Sequence, residues 1–255
     1  MAPSLGIVVP AFQPDVERLR SYVSELATEF PAAEIRIEVD DPAAGVVERL
    51  TDLPATVHTV PYRRGKGAAI TAGFEALDAD LLSFVDADGS TPVASFADVV
   101  QPVREGVADL GVGSRRHPDA DVQSHQTFAR RFLGDGFAWL AGRLLTVSLF
   151  DYQCGAKVIT SEGWEQIREH LYEPGFAWDI ELIAMAGAFD LRVSEVPIAW
   201  EDQPNSTVAP VRTTIRMGRA LLAARHRAKQ LADDPLHQAI ADRRTAPTAL
   251  VDRDE

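Results

Sequence analysis

The residues best placed to do chemistry are Asp86 and Asp88, one residue apart near the end of DLLSFVDADGST, residues 80–91. Two carboxylates this close repel each other unless a cation lies between them, so the pair reads as a site for Mg²⁺ or Mn²⁺. The alternative is a solvated turn, because an Asp-x-Asp triplet is short and common. A second group is RRGKG, in which Arg63, Arg64 and Lys66 open the helical pattern AAITAGFEAL. Cations at a helix N-terminus suit an anion, since free backbone N–H groups and the helix dipole point the same way. The segment lacks the GxxxxGK[ST] frame of a P-loop, and a structural turn with solvated arginines is the competing reading.

Both groups need a sheet edge to bring them together. Leu81, Leu82, Phe84 and Val85 make a short apolar run that reads as a buried strand, so the acids fall at its C-terminal end. In open α/β sheets that edge binds ligands. Three strands precede it: Leu5–Pro10, Glu34–Asp40 and Thr56–Tyr62. Helical spacing lies between them at Val16, Leu19, Val23 and Leu26, then at Ile70, Phe74 and Leu77, with a short helix expected over Val46, Val47 and Leu50. A fifth strand spans Asp109–Ser114, followed by a helical stretch over residues 123–145. This alternation predicts a doubly wound sheet with helices on both faces, and it lines Pro10, Asp40 and Asp86 along one edge.

The second half is less regular. Asp151–Thr160 ends in a strand, and Ser161 is the expected N-cap of a helix that turns Trp164, Ile167 and Leu171 inward. A further helix begins near Asp179, Leu191–Trp200 is a strand, and residues 208–232 form a last helix. The residues from Asp233 onward are polar and interrupted by proline, which reads as a frayed tail after a single domain over residues 1–232. The last helix carries Arg212, Arg216, Arg219, Arg225, Arg227 and Lys229 beside Val211, Ile215, Leu221 and Leu222. Such a helix either lies on anionic lipid or packs on the domain with its arginines paired to acids.

Composition narrows the partners. The formal charge is −13, with 22 Arg and three Lys, which disfavours general nucleic-acid binding and looks like adaptation to high salt. The single cysteine, Cys154, excludes an internal disulfide and reads as a packing residue. No run approaches the roughly 18 apolar residues that span a bilayer, and the N-terminus reads as a strand rather than a secretory signal.

Taken together, GIVVPAF, GKGAAITAGFEAL, FVDADGST, VGSR, DYQCGAKVI, FAWDIELI and EVPIAWED followed by NST resemble, in order, the family 2 glycosyltransferases. The resemblance runs from about Gly6 to Arg227 and is strongest to the branch that makes dolichyl-phosphate (polyprenyl-phosphate) glucose or mannose. It implies a glycosyltransferase A-type, Rossmann-like α/β fold with a mixed sheet. It also implies a nucleoside diphosphate sugar as donor (UDP-glucose first, GDP-mannose second) and dolichyl or polyprenyl phosphate as acceptor. The expected setting is peripheral, on the cytoplasmic face of a membrane.

The resemblance distributes roles residue by residue. The donor would meet Pro10, Ala11, Phe12, Asp40 or Asp41, Lys66, Asp86 and Gln153, although Asp41 is equally suited to cap the short helix. Asp88 with Asp86 would hold the metal, and Asp179 and Glu181 would lie near the donor sugar or act as base. Arg115, Arg130, Arg131 and Lys157 would clamp the acceptor phosphate, although Arg130 and Arg131 read equally well as a solvated helix face. Four positions depart from the pattern: Gln13-Pro14 replaces Asn-Glu, Arg63 replaces Asn, and Ser90 replaces the Gln of some relatives. Competing readings are transfer to a sugar hydroxyl, a non-catalytic sugar-nucleotide-binding subunit, and a haloacid-dehalogenase-like phosphatase. The last family places its acid pair on its first strand, whereas here three strands come before.

Overall fold

The computed structural model describes residues 2–123, 128–201, 210–241 and 247–253, except for the side chains of residues 123, 128–135, 210–215 and 241. Nine strands lie in the described residues, most of them where apolar runs placed them. They are β1 (Leu5–Phe12), β2 (Glu34–Asp40), β3 (Thr56–Val60), β4 (Leu81–Val85), β5 (Leu110–Ser114), β6 (Asp121–Gln123), β7 (Ala156–Thr160), β8 (Val193–Pro197) and β9 (Ala199–Glu201). Seven of these form one sheet in the order β3-β2-β1-β4-β7-β5-β8. β7 runs antiparallel to both β4 and β5, and every other pairing in the sheet is parallel.

Helices cover both faces, as the alternation requires. On one face, α1 (Val16–Glu29) and α3 (Val93–Arg104) bury Leu19, Val23, Leu26, Phe96 and Val99. On the other, α2 (Lys66–Glu75) packs with α5 (Ser161–Ile167) and α6 (Trp178–Ala188), after the intervening α4 (Phe128–Leu144). Phe74 meets Trp164 and Trp178 edge to face at ring separations of 5.0 and 6.3 Å, and Phe84 of β4 meets Trp178 at 5.6 Å. This aromatic cluster locks α2 and α6 onto the strand that ends in Asp86.

Three local expectations change. Residues 46–50 form successive turns, closed by Val46 N–H to Ala43 O and Leu50 N–H to Val47 O, rather than a helix. The segment between Pro42 and Pro54, with Gly45 at φ +79°, is too short and broken to nucleate one. The N-cap of α5 is Thr160, whose Oγ1 accepts from Gly163 N–H at 3.1 Å, so the last strand residue is also the cap. The expected strand over Leu191–Trp200 divides at Pro197 into β8 in the main sheet and β9, which pairs with the unforeseen β6.

The last helix, α7 (Pro210–Leu231), packs on α6 through Met217, Leu221 and Ala224. These three residues are therefore covered by protein while Leu222 stays exposed, and Arg216 and Arg227 pair with Glu173 and Glu181. The packed reading of this helix is the one observed. The segment beyond Asp233 is not simply frayed: it forms α8 (Pro235–Ala241), and Leu250 docks, its N–H donating to Leu171 O at 2.8 Å. Enough apolar surface remains in Ala249 and Leu250 to bury both. Leu250→Ala should therefore lower the unfolding free energy by about 2–3 kcal/mol and speed proteolysis after residue 248. Unchanged denaturation and proteolysis would show that this docking contributes nothing.

Candidate active site

The site starts from strand register. Because β7 runs antiparallel to β4, Val85 at the end of one pairs with Ala156 at the start of the other. The residues just outside, Asp86 and Gly155, then face each other, and Asp86 N–H donates to Gly155 O at 2.9 Å. A Cβ at position 155 would lie 1.8 Å from Asp86 Oδ2, so only glycine leaves room for that carboxylate. Asp88 is exposed, with Oδ1 accepting from Ser90 N–H at 2.9 Å in a turn that needs Gly89 at φ +66°. Tyr22 of α1 steadies the same loop by donating to Thr91 O at 2.6 Å.

Beneath Asp86 lies a chain of alternating charges. Lys66 Nζ sits 2.9 Å from Asp86 Oδ1 and 3.3 Å from Asp179 Oδ2, and Lys157 Nζ sits 2.6 Å from Asp179 Oδ1. Lys157 also donates to Cys154 O at 2.6 Å. Burial would lower the Lys66 pKa, but Asp179 and Asp86 more than reverse this and hold the ammonium above its ordinary value. Enclosure raises the Asp86 carboxyl above the usual range, with Lys66 opposing the rise and Asp88 adding to it.

A second ion pair stands beside the first. Arg115, just past β5, donates from Nε to Asp151 Oδ2 at 2.7 Å and from Nη2 to Oδ1 at 3.1 Å. Burial works to raise the Asp151 carboxyl, yet Arg115 outweighs it and holds the group well below the carboxylate range. Glu195 of β8 accepts from the N–H groups of Phe150 and Asp151, fixing the approach to β7. Gln153 is half-buried between these pairs, its N–H donating to Asp151 Oδ1 at 3.0 Å. Burial pushes the Cys154 thiol up to about 12, which makes it an inert packing group.

Several sequence assignments are corrected by these contacts. Lys157 is 1% exposed and committed to Asp179, so it does not present charge to an acceptor. Asp179 spans two lysines, and Glu181 accepts from Tyr172 N–H, Glu173 N–H and Arg227. Both carboxylates are buried, with their oxygens engaged by the chain. Asp40 is buried and holds Arg64 Nε at 2.8 Å and Gly65 N–H at 2.9 Å, while Asp41 is exposed at φ +47° and caps no helix.

The N-terminus of α2 also departs from a simple anion cradle. Gly65 N–H goes to Asp40 and Ala68 N–H to Pro174 O at 3.1 Å. A Cβ at Gly65 would meet Pro174 O at 2.5 Å, and one at Gly67 would meet Trp178 Cβ at 2.5 Å. The glycines of Gly-Lys-Gly thus admit the 173–178 backbone and leave Lys66 as the group that faces the acids. Pro10 and Ala11 close β1, and Phe12 is 36% exposed with the Arg63 guanidinium 4.1 Å above its ring. The side chains of Arg130 and Arg131 lie outside the described residues.

The site therefore gathers Phe12, Lys66, Asp86, Asp88, Arg115 and Gln153 around one sheet edge. Asp151 and Gly155 were not foreseen as site residues; both lie in DYQCGAK, and their spacing around Cys154 was the available signal. Among the described residues, no group of three His, Cys, Asp or Glu side chains is arranged to hold a metal. The hard oxygens of Asp86 and Asp88 fit Mg²⁺ or Mn²⁺ if a ligand's phosphates and water complete the sphere.

The depressed Asp151 pKa gives stability that is fully present above its unfolded value of about 3.9 and is lost as pH falls below it. Asp151→Asn should flatten acid unfolding below about pH 4 and destabilise the protein at pH 7, because Arg115 is left unpaired. An unchanged pH–stability curve in that variant would remove the pair from the stability account.

Comparison with known proteins agrees with this architecture. The model of the family described as Glycosyl transferase family 2 matches residues 7–147. The chain is 31% identical over 212 residues to glycosyltransferase AglD of Haloferax volcanii, covering 81% of this chain and 33% of that protein. It is 30% identical over 180 residues to the dolichyl-phosphate beta-glucosyltransferase of Mus musculus, covering 67% of this chain and 54% of that one. It thus spans about a third to a half of the length of these curated relatives.

Among solved structures, glucosyl-3-phosphoglycerate synthase from Mycobacterium tuberculosis, in complex with Mn²⁺, UDP-glucose and phosphoglyceric acid, superposes with a TM-score of 0.67. The identity is 15%, over 88% of this chain and 80% of that one. Mannosyl-3-phosphoglycerate synthase from Rubrobacter xylanophilus gives a TM-score of 0.61 at 16% identity, over 91% of this chain and 75% of that one. These neighbours share the glycosyltransferase A-type fold. With the acid pair on the fourth strand and a family match over more than half its length, the chain belongs to glycosyl transferase family 2.

Proposed function

We propose that the chain transfers a hexose, with inversion, from a nucleoside diphosphate sugar to dolichyl or polyprenyl phosphate, with UDP-glucose as the first donor and GDP-mannose the second. The observation that carries the acceptor class is the engagement of both candidate bases, Asp179 between two lysines and Glu181 between two N–H groups and Arg227. A sugar hydroxyl must lose a proton as it attacks and needs a base within reach. A phosphate monoester has a second pKa near 6 and is already an anionic nucleophile at neutral pH. Its oxygen forms the bond to the anomeric carbon while the bond to the donor diphosphate breaks, and the electron pair leaves with the diphosphate.

The chain's residues divide this work by position. Lys66 stands beside Asp86, where the leaving diphosphate would gather charge, and Arg115 places a second cation at the next strand end. A divalent cation held by Asp88 and Asp86 would neutralise the leaving group. Phe12 and Arg63 offer a flat surface for the base, and Gln153 a polar contact for the sugar. The relatives named for dolichyl phosphate support this acceptor, and the neighbour holding Mn²⁺ and UDP-glucose supports this donor class. The net charge of −13 supports a working environment of high ionic strength.

No helix among the described residues is long and apolar enough to cross a membrane. We place the contact with a lipid acceptor at the periphery of the membrane, on its cytoplasmic face. Exposed Trp139 and Leu140 of α4 and Leu222 of α7, on helices that pack together, supply apolar surface for it.

The test is transfer of labelled hexose from UDP- and GDP-sugars to polyprenyl phosphate with Mg²⁺. Label should enter the lipid phase with one donor, and Asp88→Ala should cut the rate by about 10²–10³. Gly155→Ala should cost about a hundredfold in rate by displacing Asp86. Label reaching only a glycan would remove the lipid-phosphate acceptor, and full activity of Asp88→Ala would remove the metal assignment. The protein should also float with vesicles carrying the acceptor; protein left wholly at the bottom of the gradient would exclude the membrane contact.

A further inference from the structure

A cavity of about 540 Å³ opens on the flank of the sheet, between the β2–β3 edge, α2 and the docked C-terminal segment. Arg36, His58, Arg63, Arg64 and Arg253 line it, with Tyr62 at its rim. This places four guanidinium groups around one small space in a chain whose net charge is −13. Its volume falls in the range of small-molecule sites, roughly 300–1,000 Å³.

The cations are only partly balanced. Glu38, fully buried beneath the cavity, accepts from Arg36 Nε, from Arg64 Nη2 at 2.7 Å, and pairs with His58 Nδ1 at 2.8 Å. Asp40 takes Arg64 Nε, and Glu75 on the α2 wall is held by Arg168 and by Trp164 Nε1. Arg253 donates to the backbone carbonyls of Tyr172 and Thr248, which orient it without cancelling its charge. Arg63 rests on the Phe12 ring, which likewise leaves its charge intact. Arg63 and Arg253 pair with no carboxylate among the described residues, which leaves their two positive charges in excess.

The cavity adjoins the acid-bearing edge at Arg63, which stacks on Phe12 of the donor surface, and extends away from it. Arg36 lies four positions before Asp40 on β2, about 13 Å down the strand from the edge at roughly 3.3 Å per residue. The remaining walls are the small side chains Ala68, Ala72 and Ala76 of α2 together with Leu250 and Val251. Apart from Arg63, none of these belongs to the donor or acceptor surfaces described above.

From this geometry we infer a second ligand site, one that binds a small phosphate monoester. Near neutral pH such a group carries close to two negative charges, which matches the excess. Guanidinium forks recognise its oxygens in pairs, and Arg36 is already oriented by Glu38 for that purpose. The alanine wall and Tyr62 leave room for a compact organic body on the phosphate.

Calorimetric titration of the full chain with glucose 6-phosphate and with inorganic phosphate tests the site. Glucose 6-phosphate should bind at one site per chain, still bind in the presence of saturating UDP and Mg²⁺, and weaken about tenfold in Arg253→Gln and in Arg36→Gln. Arg253 is on the surface, so its variant keeps the test open if the Arg36 variant fails to fold. Absence of binding, loss of binding when UDP is added, or equal affinity in Arg253→Gln would each overturn the assignment. Binding of inorganic phosphate that equals glucose 6-phosphate and ignores both substitutions would also overturn it.

Discussion

The structure depends most on the ion chain Asp86–Lys66–Asp179–Lys157, which runs from the 42%-exposed Asp86 into the interior. An isolated charge at the depth of Asp179 or Lys157 would cost several kcal/mol, and these inner members are tolerated because their neighbours carry the opposite sign. The four residues come from the end of β4, the start of α2, the start of α6 and β7. One electrostatic chain therefore fixes the relative placement of the elements that meet at the sheet edge. It also explains why helices so apolar on their inner faces begin with a lysine and an aspartate.

Backbone proximity is the second constraint, and it works together with the first. Lys66 reaches Asp86 and Asp179 because Gly65 and Gly67 let the 173–178 segment approach α2 at distances no side chain allows. Asp86 takes its position because Gly155 offers no Cβ where the carboxylate lies. Both contacts follow from packing against the central strand, where the Phe84, Phe74 and Trp178 rings leave little freedom. The acids at the edge are therefore set by apolar burial behind them and by glycines beside them.

Much of the fold was legible from local pattern. The runs at β1, β2, β4 and β5, and the helical spacing of α1 and α2, mark themselves by periodicity, and Asp86 and Asp88 follow at the end of the fourth run. Less legible were short elements whose existence rests on a distant partner. β6 has three residues and exists through β9, and the docking of Leu250 exists through Leu171. The turns at residues 46–50 carry helical apolar spacing, but Gly45 and two flanking prolines outweigh it.

The same division holds at the site. The sequence by itself determined which groups reach the sheet edge, because strand ends are set by where apolar runs stop; it marked Asp86, Asp88 and Arg115 on that ground, and Lys66 as a cation opening a helix. Only the tertiary structure decided their partners. Lys157, Asp179, Glu181 and Asp40 have the residue types of working groups, yet each is buried with its donors or acceptors taken by the chain. The reason is that a charge's role depends on what lies within about 3 Å of it once solvent is excluded. The charged partners that close that distance lie 22 to 113 positions away, which no local pattern specifies.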